Sequence, residues 1–135
     1  MADFSVGDTV KHRFNPEAVG EIIEIRTTSN PEFLKGTLDM LVLKTLSRGP
    51  NHGYGIAQHI RRLSEDAFKV GEGSLYPALQ RLLVNGWVAA EWGMTDTNRK
   101  ARIYKITPAG RKQLAQEVRE FDFVLAAIAR VMESA

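Results

Sequence analysis

Apolar residues recur at helical spacing from residue 34 to residue 46, at Leu34, Leu38, Leu41, Val42 and Leu46. This spacing puts them on one face of a helix, so it predicts an amphipathic helix that begins near Glu32. Gly49-Pro50 is expected to end the helix, because glycine favours helix termini and proline cannot continue a helix.

Two shorter helical patterns follow, separated by Gly71 and Gly73. The first runs from Tyr54 to about Leu63, and the second from a capping Ser74 to Asn85-Gly86. Pro77 is expected in the first turn of the second helix, where a missing N–H costs little. The predicted buried faces are Ile56, Ala57, Ile60 and Leu63 in one helix, and Leu75, Leu79, Leu82 and Leu83 in the other.

The pattern then changes to that of strands at residues 87–92 and 101–107, joined by the polar stretch 93–100. These segments predict a β-hairpin with a basic tip. Thr107-Pro108 is typical of a helix start, and the helix it opens is expected to reach about Met132. Its apolar positions are spaced alternately by four and three residues, which predicts a seam for self-association: Leu114, Val118, Phe121, Leu125, Ile128 and Met132.

Residues 4–28 favour β-structure, with Val6–Val10 and Glu21–Ile25 as strands around the turn formers Asn15-Pro16 and Gly20. The chain is therefore divided into an N-terminal β-hairpin and linker (1–31), a central domain (32–107) and a C-terminal dimerisation helix (108–135). The fold class predicted is mainly α with a small β-wing, namely a winged helix-turn-helix with appendages at both ends.

Charge is concentrated in the central part of the chain. Residues 35–112 hold thirteen Lys and Arg against six Asp and Glu, a net charge of +7, whereas residues 1–34 carry −3 and residues 113–135 carry −2. A basic domain between acidic ends is typical of a protein that contacts phosphate backbones. The alternative is a soluble surface that is merely basic.

Several function classes find no support in the residues. The chain has no cysteine, so it has no thiolate metal site or nucleophile. The histidines His12, His52 and His59 lack partners at metal-ligand spacing, and no acid–base set suggests catalysis. We therefore expect no enzyme activity, metal or cofactor. Nothing resembles a secretory signal or membrane span, so the cytoplasm is the expected location.

The second helix of a helix-turn-helix pair enters the major groove of DNA. Its predicted solvent face is Ser74, Tyr76, Pro77, Gln80 and Arg81. The wing tip adds Asn98, Arg99, Lys100 and Arg102, and Lys69 is a candidate phosphate contact. The structural alternatives are a solvated helix face, a packing role for Tyr76 and a flexible wing loop. The rival function is a winged-helix module that binds another protein.

Six segments together resemble the PadR family of transcription regulators: Phe33–Asp39, His52-Gly-Tyr-Gly-Ile-Ala-Gln58, Glu72-Gly-Ser-Leu-Tyr-Pro-Ala-Leu79, Arg81-Leu82, Gly86-Trp87 and Tyr104-Lys-Ile-Thr-Pro-Ala-Gly-Arg111. The resemblance covers Glu32 to Met132. It implies a homodimer formed through the last helix, binding double-stranded DNA at an inverted repeat and usually repressing a nearby gene. It also implies that a small apolar or phenolic effector releases the DNA in some members. Trp87 and Trp92 are the candidate effector-binding residues, with packing in the core as their alternative.

Overall fold

The computed structural model describes residues 23–25 and 31–134, with side chains from residue 36 onward. The described residues form four helices and five strands. In chain order they are β1 (Ile23–Ile25), α1 (Pro31–Leu46), β2 (Asn51–His52), α2 (Gly53–Leu63), β3 (Phe68–Val70), α3 (Glu72–Val84), β4 (Val88–Met94), β5 (Lys100–Ile106) and α4 (Pro108–Glu133). One compact unit spans Ile22–Leu114, and α4 continues into a second unit from Ala115.

The core of the first unit lies among α1, α2 and α3, with the sheet closing one side. Its buried members follow the helical spacing read from the sequence: Leu38, Val42, Leu43, Leu46, Ile56, Ile60, Leu75, Ala78, Leu79, Leu82, Val88, Tyr104 and Ile106. Removing this much apolar surface from water is the main force that holds the three helices together. The order of helices and wing confirms the predicted fold class.

Leu63 departs from the prediction, because its side chain is 59% exposed rather than buried. It is the last residue of α2, and the chain turns away directly after it. Glu65 and Asp66 adopt left-handed backbone angles in that turn, with φ of 53° and 68°. A side chain at such a helix end extends past the neighbouring helices, so periodicity alone overestimates its burial.

Helix α3 begins earlier than the sequence suggested. Its N-cap is Gly71, and Ser74 lies inside the helix rather than capping it. Pro77 is therefore the sixth helical residue instead of a first-turn residue, and it leaves the carbonyl of Gly73 without an i+4 amide donor. The expectation erred because serine is a common cap, whereas here glycine occupies that position.

The wing is a three-stranded antiparallel sheet in the order β2-β5-β4. The predicted hairpin is confirmed as β4 and β5, paired from Val88 with Ile106 to Met94 with Lys100. The two-residue strand β2 adds Asn51 and His52 along the other edge of β5 and was not foreseen. His52 also caps α2, since its Nδ1 accepts a hydrogen bond from the Gly55 amide at 3.1 Å.

Helix α4 starts on the corner between α3 and β4. Thr107 acts as predicted at the helix start, because its hydroxyl accepts from the Gly110 amide at 3.0 Å and donates to the Gly86 carbonyl at 2.8 Å. A Cβ on Gly110 would lie 2.0 Å from the Trp87 carbonyl oxygen, so only glycine permits this approach. The Thr-Pro-Ala-Gly motif thereby attaches α4 to the first unit.

Only part of the predicted N-terminal β-hairpin lies within the described residues. Ile23–Ile25 is a strand, but it pairs in parallel with β3, from Ile23 with Phe68 to Ile25 with Val70. The rest of the proposed hairpin, including Val6–Val10 and His12, lies outside the described residues. The parallel pairing was not predicted, because β3 is only three residues long and carries no strong pattern.

Candidate nucleic-acid interface

The exposed surface of α3 is narrower than the sequence indicated. Tyr76, Pro77 and Gln80 are exposed along one side of the helix. Ser74 was expected beside them, but it is buried with Ala78 on the inner side. The correction follows from geometry, since residues four apart share a helix face and Ala78 is in the core. Ser74 therefore cannot reach a ligand at this surface.

Tyr76 lies partly over the start of α2. A Cβ built on Gly53 would come 2.8 Å from the Tyr76 hydroxyl oxygen, so the end of the ring packs against Gly53 and would have to shift for a larger residue there. Burial raises the pKa of the Tyr76 phenol above 10.0, and the charges of Glu72 and Tyr104 add to the shift. The hydroxyl therefore stays protonated at neutral pH and can donate a hydrogen bond to a phosphate oxygen. Both readings of Tyr76, packing and contact, fit its half-exposed position.

Arg81 is held in an ion pair that the sequence did not reveal. Its Nη2 donates to Asp39 Oδ1 at 2.7 Å and its Nε to Asp39 Oδ2 at 3.2 Å, across 42 positions of chain. The side chains of Arg81 and Asp39 are 32% and 13% exposed. A guanidinium used in this two-point contact is fixed in place, so Arg81 joins α3 to α1 rather than extending freely from the helix.

Lys69 lies on β3, directly before α3, and is half-buried. It lines a cleft of about 370 Å³ between the two helix-turn-helix elements, together with Gly53, Arg61, Glu72 and Tyr76. Lys69 thus lines the same cleft as Glu72, the first residue of α3. A phosphate bound near the start of α3 could therefore contact both the Lys69 ammonium and the backbone amides of the first helical turn.

The tip of the wing is a hydrogen-bonded turn. The Thr95 amide donates to the Arg99 carbonyl, and the Asn98 amide donates to the Thr95 carbonyl, both at 2.8 Å. Asn98 takes a left-handed conformation with φ of 64°, which asparagine tolerates well. Asn98, Arg99, Lys100 and Arg102 are all exposed. The predicted polar and basic side chains therefore extend from a turn that is closed by backbone hydrogen bonds.

A groove between α2 and the wing tip was missed from the sequence. It encloses about 790 Å³ and is lined by residues of both elements, including Tyr54, Gln58, Arg62, Arg99 and Lys100. Gln58 donates to the Tyr54 hydroxyl at 2.6 Å. The signal was present, because Tyr54, Gln58 and Arg62 are polar and spaced by four residues opposite the buried Ile56 and Ile60.

The two tryptophans occupy different environments. Trp87 is half-buried and packs against the core beside the start of α4. Trp92 is exposed on β4, and the Lys100 ammonium lies 5.5 Å from its ring centroid. Neither tryptophan lines the groove between α2 and the wing. A role for either of them in effector binding stays a prediction.

The C-terminal helix exposes much of its predicted seam. The exposed apolar residues on that face are Val118, Phe121, Ile128 and Met132, while Leu114 and Leu125 are half-buried. Phe123 is 72% exposed but lies on the opposite side, since nine helical residues after Leu114 correspond to about half a turn. Val124 and Val131 broaden the seam on one flank.

Residues 42–116 match the Transcriptional regulator PadR-like family. The chain belongs to this family. The chain is 32% identical over 91 residues to Transcriptional regulator Rv3488 of Mycobacterium tuberculosis, an alignment that covers 67% of this chain and 81% of that protein. It is therefore a PadR-like transcriptional regulator, and such regulators are generally not enzymes.

Solved structures agree with the fold. A transcriptional regulator from Clostridium thermocellum, Cth-833, superposes with a TM-score of 0.67 at 29% identity, covering 73% of this chain and 96% of the other. A PadR-like transcriptional regulator from Bacillus cereus gives a TM-score of 0.67 at 23% identity, over 77% and 99% of the two chains. The second likeness concerns the fold alone.

Two structural findings accompany this assignment. Among residues 23–25 and 31–134, no helix is long and apolar enough to span a bilayer. Within the same residues, no group of three or more His, Asp or Glu side chains is arranged to hold a metal ion.

Proposed function

We propose that this PadR-like regulator binds double-stranded DNA in a sequence-specific manner, as a homodimer, and represses transcription from an inverted-repeat operator. The observation that carries the proposal is the basic face formed by the exposed side of α3 and the wing. Tyr76 and Gln80 supply hydrogen-bonding groups on α3, and Arg99, Lys100 and Arg102 supply uncovered positive charge on the wing.

The chemistry of each part suits a different portion of the duplex. Gln80 can pair with the N6 and N7 edge of adenine in the major groove, where its helix fits. Tyr76 and Lys69 suit phosphates at the start of α3, and Asn98, Arg99, Lys100 and Arg102 suit the neighbouring backbone. Arg81 acts indirectly in this scheme, because its guanidinium is engaged with Asp39.

The proposed dimer rests on α4. A helix with Val118, Phe121 and Ile128 exposed along one face leaves apolar surface in water. Pairing with a second copy covers that surface and holds two DNA-reading units at a fixed spacing. We also propose that a small apolar or phenolic effector entering this apolar interface releases the DNA, and the seam residues offer the surface for it.

Fluorescence anisotropy with labelled promoter fragments tests the DNA-binding proposal. At about 150 mM salt, the wild-type protein is expected to bind one fragment well above the others, because non-specific binding is weak there. The double variant Tyr76→Phe/Gln80→Ala should lose discrimination between fragments. The double variant Arg99→Gln/Lys100→Gln should weaken binding to all of them. It should also make the slope of log K against log salt concentration shallower, by the equivalent of about two phosphate contacts.

Lys44→Gln/Arg48→Gln is the matched control, because it removes the same number of positive charges from the last turn of α1 and the turn that follows it. This control should retain wild-type discrimination and salt dependence. If all variants and the control behaved alike, the assigned face would be wrong. If the wild-type protein bound no DNA, the winged helix would be better explained as a protein-binding module.

Sedimentation analysis tests the dimer separately. Phe121→Glu/Ile128→Glu puts charges into the proposed seam and should shift the protein to monomer. Phe123→Glu is the matched control, since Phe123 is exposed on the opposite side of the same helix. A wild-type monomer, or equal dissociation by both variants, would contradict a dimer formed through this seam.

A further inference from the structure

A short strand from the N-terminal part of the chain lies against the connection between α2 and α3. β1 pairs in parallel with β3, from Ile23 with Phe68 to Ile25 with Val70, and it is the only strand paired with β3 among the residues that the structure describes. The match to the PadR-like family begins at residue 42, so β1 lies outside the part of the chain that matches the family. Reading of DNA by α3 and the wing does not require this strand.

β3 is a place where a paired strand can influence the helix that reads DNA. Its Phe68 and Val70 pack against the core, and Val70 is followed directly by Gly71, the N-cap of α3. The preceding turn is tied to β3 as well, because the Ser64 hydroxyl accepts a hydrogen bond from the Phe68 amide at 3.0 Å. A strand paired with β3 therefore lies beside the start of α3.

The register brings an acidic residue to the position opposite Lys69. Glu24 and Lys69 are Cα partners at the centre of the two strands. Lys69 forms no ion pair with any of residues 36–134, whereas Arg61, which lines the same cleft, is paired with Asp66. Opposite charges at paired strand positions attract each other. The charge at position 24 therefore favours docking of β1 as long as no phosphate occupies Lys69.

The same charge opposes DNA. A phosphate that reaches Lys69 also approaches the negative charge at position 24, and like charges repel. Residues 1–34 carry a net charge of −3, so the segment to which β1 belongs adds no attraction for DNA. A two-stranded pair of three residues is marginally stable, so β1 can leave β3 when a phosphate binds. Docking of β1 and phosphate binding at Lys69 therefore disfavour each other, and the coupling is reciprocal.

We propose that β1 is an autoinhibitory latch on the helix-turn-helix, an inference that rests on the proposed contact of Lys69 with DNA. In the latched state, β1 is paired with β3, and the negative charge at position 24 weakens phosphate binding at Lys69. Release of β1 leaves Lys69 available beside the start of α3. Only residues 26–30 separate β1 from α1, so β1 returns to β3 at a high effective concentration after the DNA dissociates.

Engineered disulfides test the latch, because the chain has no cysteine of its own. Ile25→Cys/Val70→Cys places thiols on register partners, and the spacing of neighbouring strands suits a disulfide. Ile23→Cys/Val70→Cys is the matched control, since its two positions are offset by two residues along the strands and lie too far apart. After brief oxidation of the full chain, mass spectrometry should find an intramolecular disulfide in the first variant and free thiols in the second.

The oxidised and reduced forms of Ile25→Cys/Val70→Cys then measure the effect of the latch on DNA binding. The probe is a random-sequence duplex of about 30 base pairs, long enough for two half-sites. The oxidised form should bind about threefold more weakly than the reduced form, the effect of one partly screened surface charge. Its slope of log K against log salt concentration should be shallower, by the equivalent of up to about one phosphate contact.

The charge at position 24 is tested in the same oxidised protein. Adding Glu24→Gln should restore most of the affinity, because it removes the negative charge and keeps the strand paired. Glu120→Gln is the matched control, since it removes one negative charge from an exposed position on α4. This control should leave the difference between the oxidised and reduced forms unchanged.

The outcomes distinguish the latch from the function on which it rests. The latch would be overturned by equal oxidation of the two cysteine variants, by oxidised protein that binds the duplex as tightly as the reduced form or more tightly, or by a loss of affinity that Glu24→Gln leaves unchanged. In each of these cases DNA binding by the reduced protein would stand. If the wild-type and reduced proteins bound no duplex, the proposed function would fail and the autoinhibitory role with it, while the disulfides would still report whether β1 pairs with β3.

Discussion

The ion pair between Arg81 and Asp39 gives the sharpest mechanistic prediction. Arg81 was expected to face DNA, yet its guanidinium makes two hydrogen bonds to the Asp39 carboxylate. Replacing Arg81 with methionine keeps an unbranched apolar stem and removes the guanidinium group with its charge. We expect α3 to lose this polar link to α1, while the core contacts between the two helices remain, and therefore both stability and DNA affinity to decrease.

The magnitude follows from the burial of the pair. Exposed ion pairs contribute about 0.2–1 kcal/mol, whereas removing one partner of a buried pair costs about 3–5 kcal/mol. With 32% and 13% of the two side chains exposed, this pair lies between those limits. A loss of about 2 kcal/mol in the free energy of unfolding is expected for Arg81→Met, and a similar loss for Asp39→Asn.

Chemical denaturation measures the stability change, and the double variant completes a thermodynamic cycle. Arg61→Met is the matched control, because Arg61 forms an ion pair of the same 2.7 Å length with Asp66 in which both partners are about half exposed. The control should lose less than about 1 kcal/mol. Equal losses in the two arginine variants would refute the argument from burial.

DNA binding tests the role of Arg81 in the same variants. A positioning residue should weaken binding without changing the salt slope, and Asp39→Asn should reproduce its effect. A direct phosphate contact would instead lower the slope by about 0.9 in Arg81→Met alone. That second result, with Asp39→Asn binding normally, would return Arg81 to the DNA-contacting set.

Three further predictions concern stability. Gly110→Ala should lower the free energy of unfolding by more than about 2 kcal/mol, measured by denaturant melts, because its Cβ would collide with the Trp87 carbonyl. An unchanged free energy of unfolding would exclude this close approach. Glu65→Gly should raise the free energy of unfolding by about 0.5–1 kcal/mol, because glycine adopts the left-handed conformation without strain. A decrease in the free energy of unfolding would show that the Glu65 side chain contributes more than the strain costs. The pKa of His59 is lowered from 6.5 by burial and by the charge of Arg62, so the unfolded chain binds more protons near that pH and stability should decrease as the pH falls through 6.5. His59→Gln should flatten this decrease in a pH series of thermal melts, whereas an unchanged profile would assign it to other groups.

The sequence predicted the helical core well because burial there follows periodicity. Leu38, Leu79 and Leu82 all lie where the spacing of apolar residues puts them. Thr107 caps α4 as expected, since the cap depends on residues within one turn. Such local signals can be read from the chain without knowing the tertiary structure.

The errors occurred where distant segments decide the outcome. Arg81 is withdrawn from the exposed face by Asp39, which is far away in sequence. Helix α3 is capped by Gly71 instead of the predicted Ser74, so Ser74 is buried inside the helix. Strand β3 is defined by its pairing with β1, and a three-residue strand carries too little sequence pattern to predict its partner. The exposed state of Trp92 likewise depends on where the helices stop covering the sheet.

The most direct test of the whole account is the selection of bound duplexes from a randomised library at about 150 mM salt. We predict enrichment of one inverted repeat whose half-site centres lie about one helical turn, or a multiple of it, apart, bound by two chains per duplex. Enrichment of no sequence, or of an asymmetric site bound by a single chain, would contradict a homodimer that reads DNA through α3 and the wing.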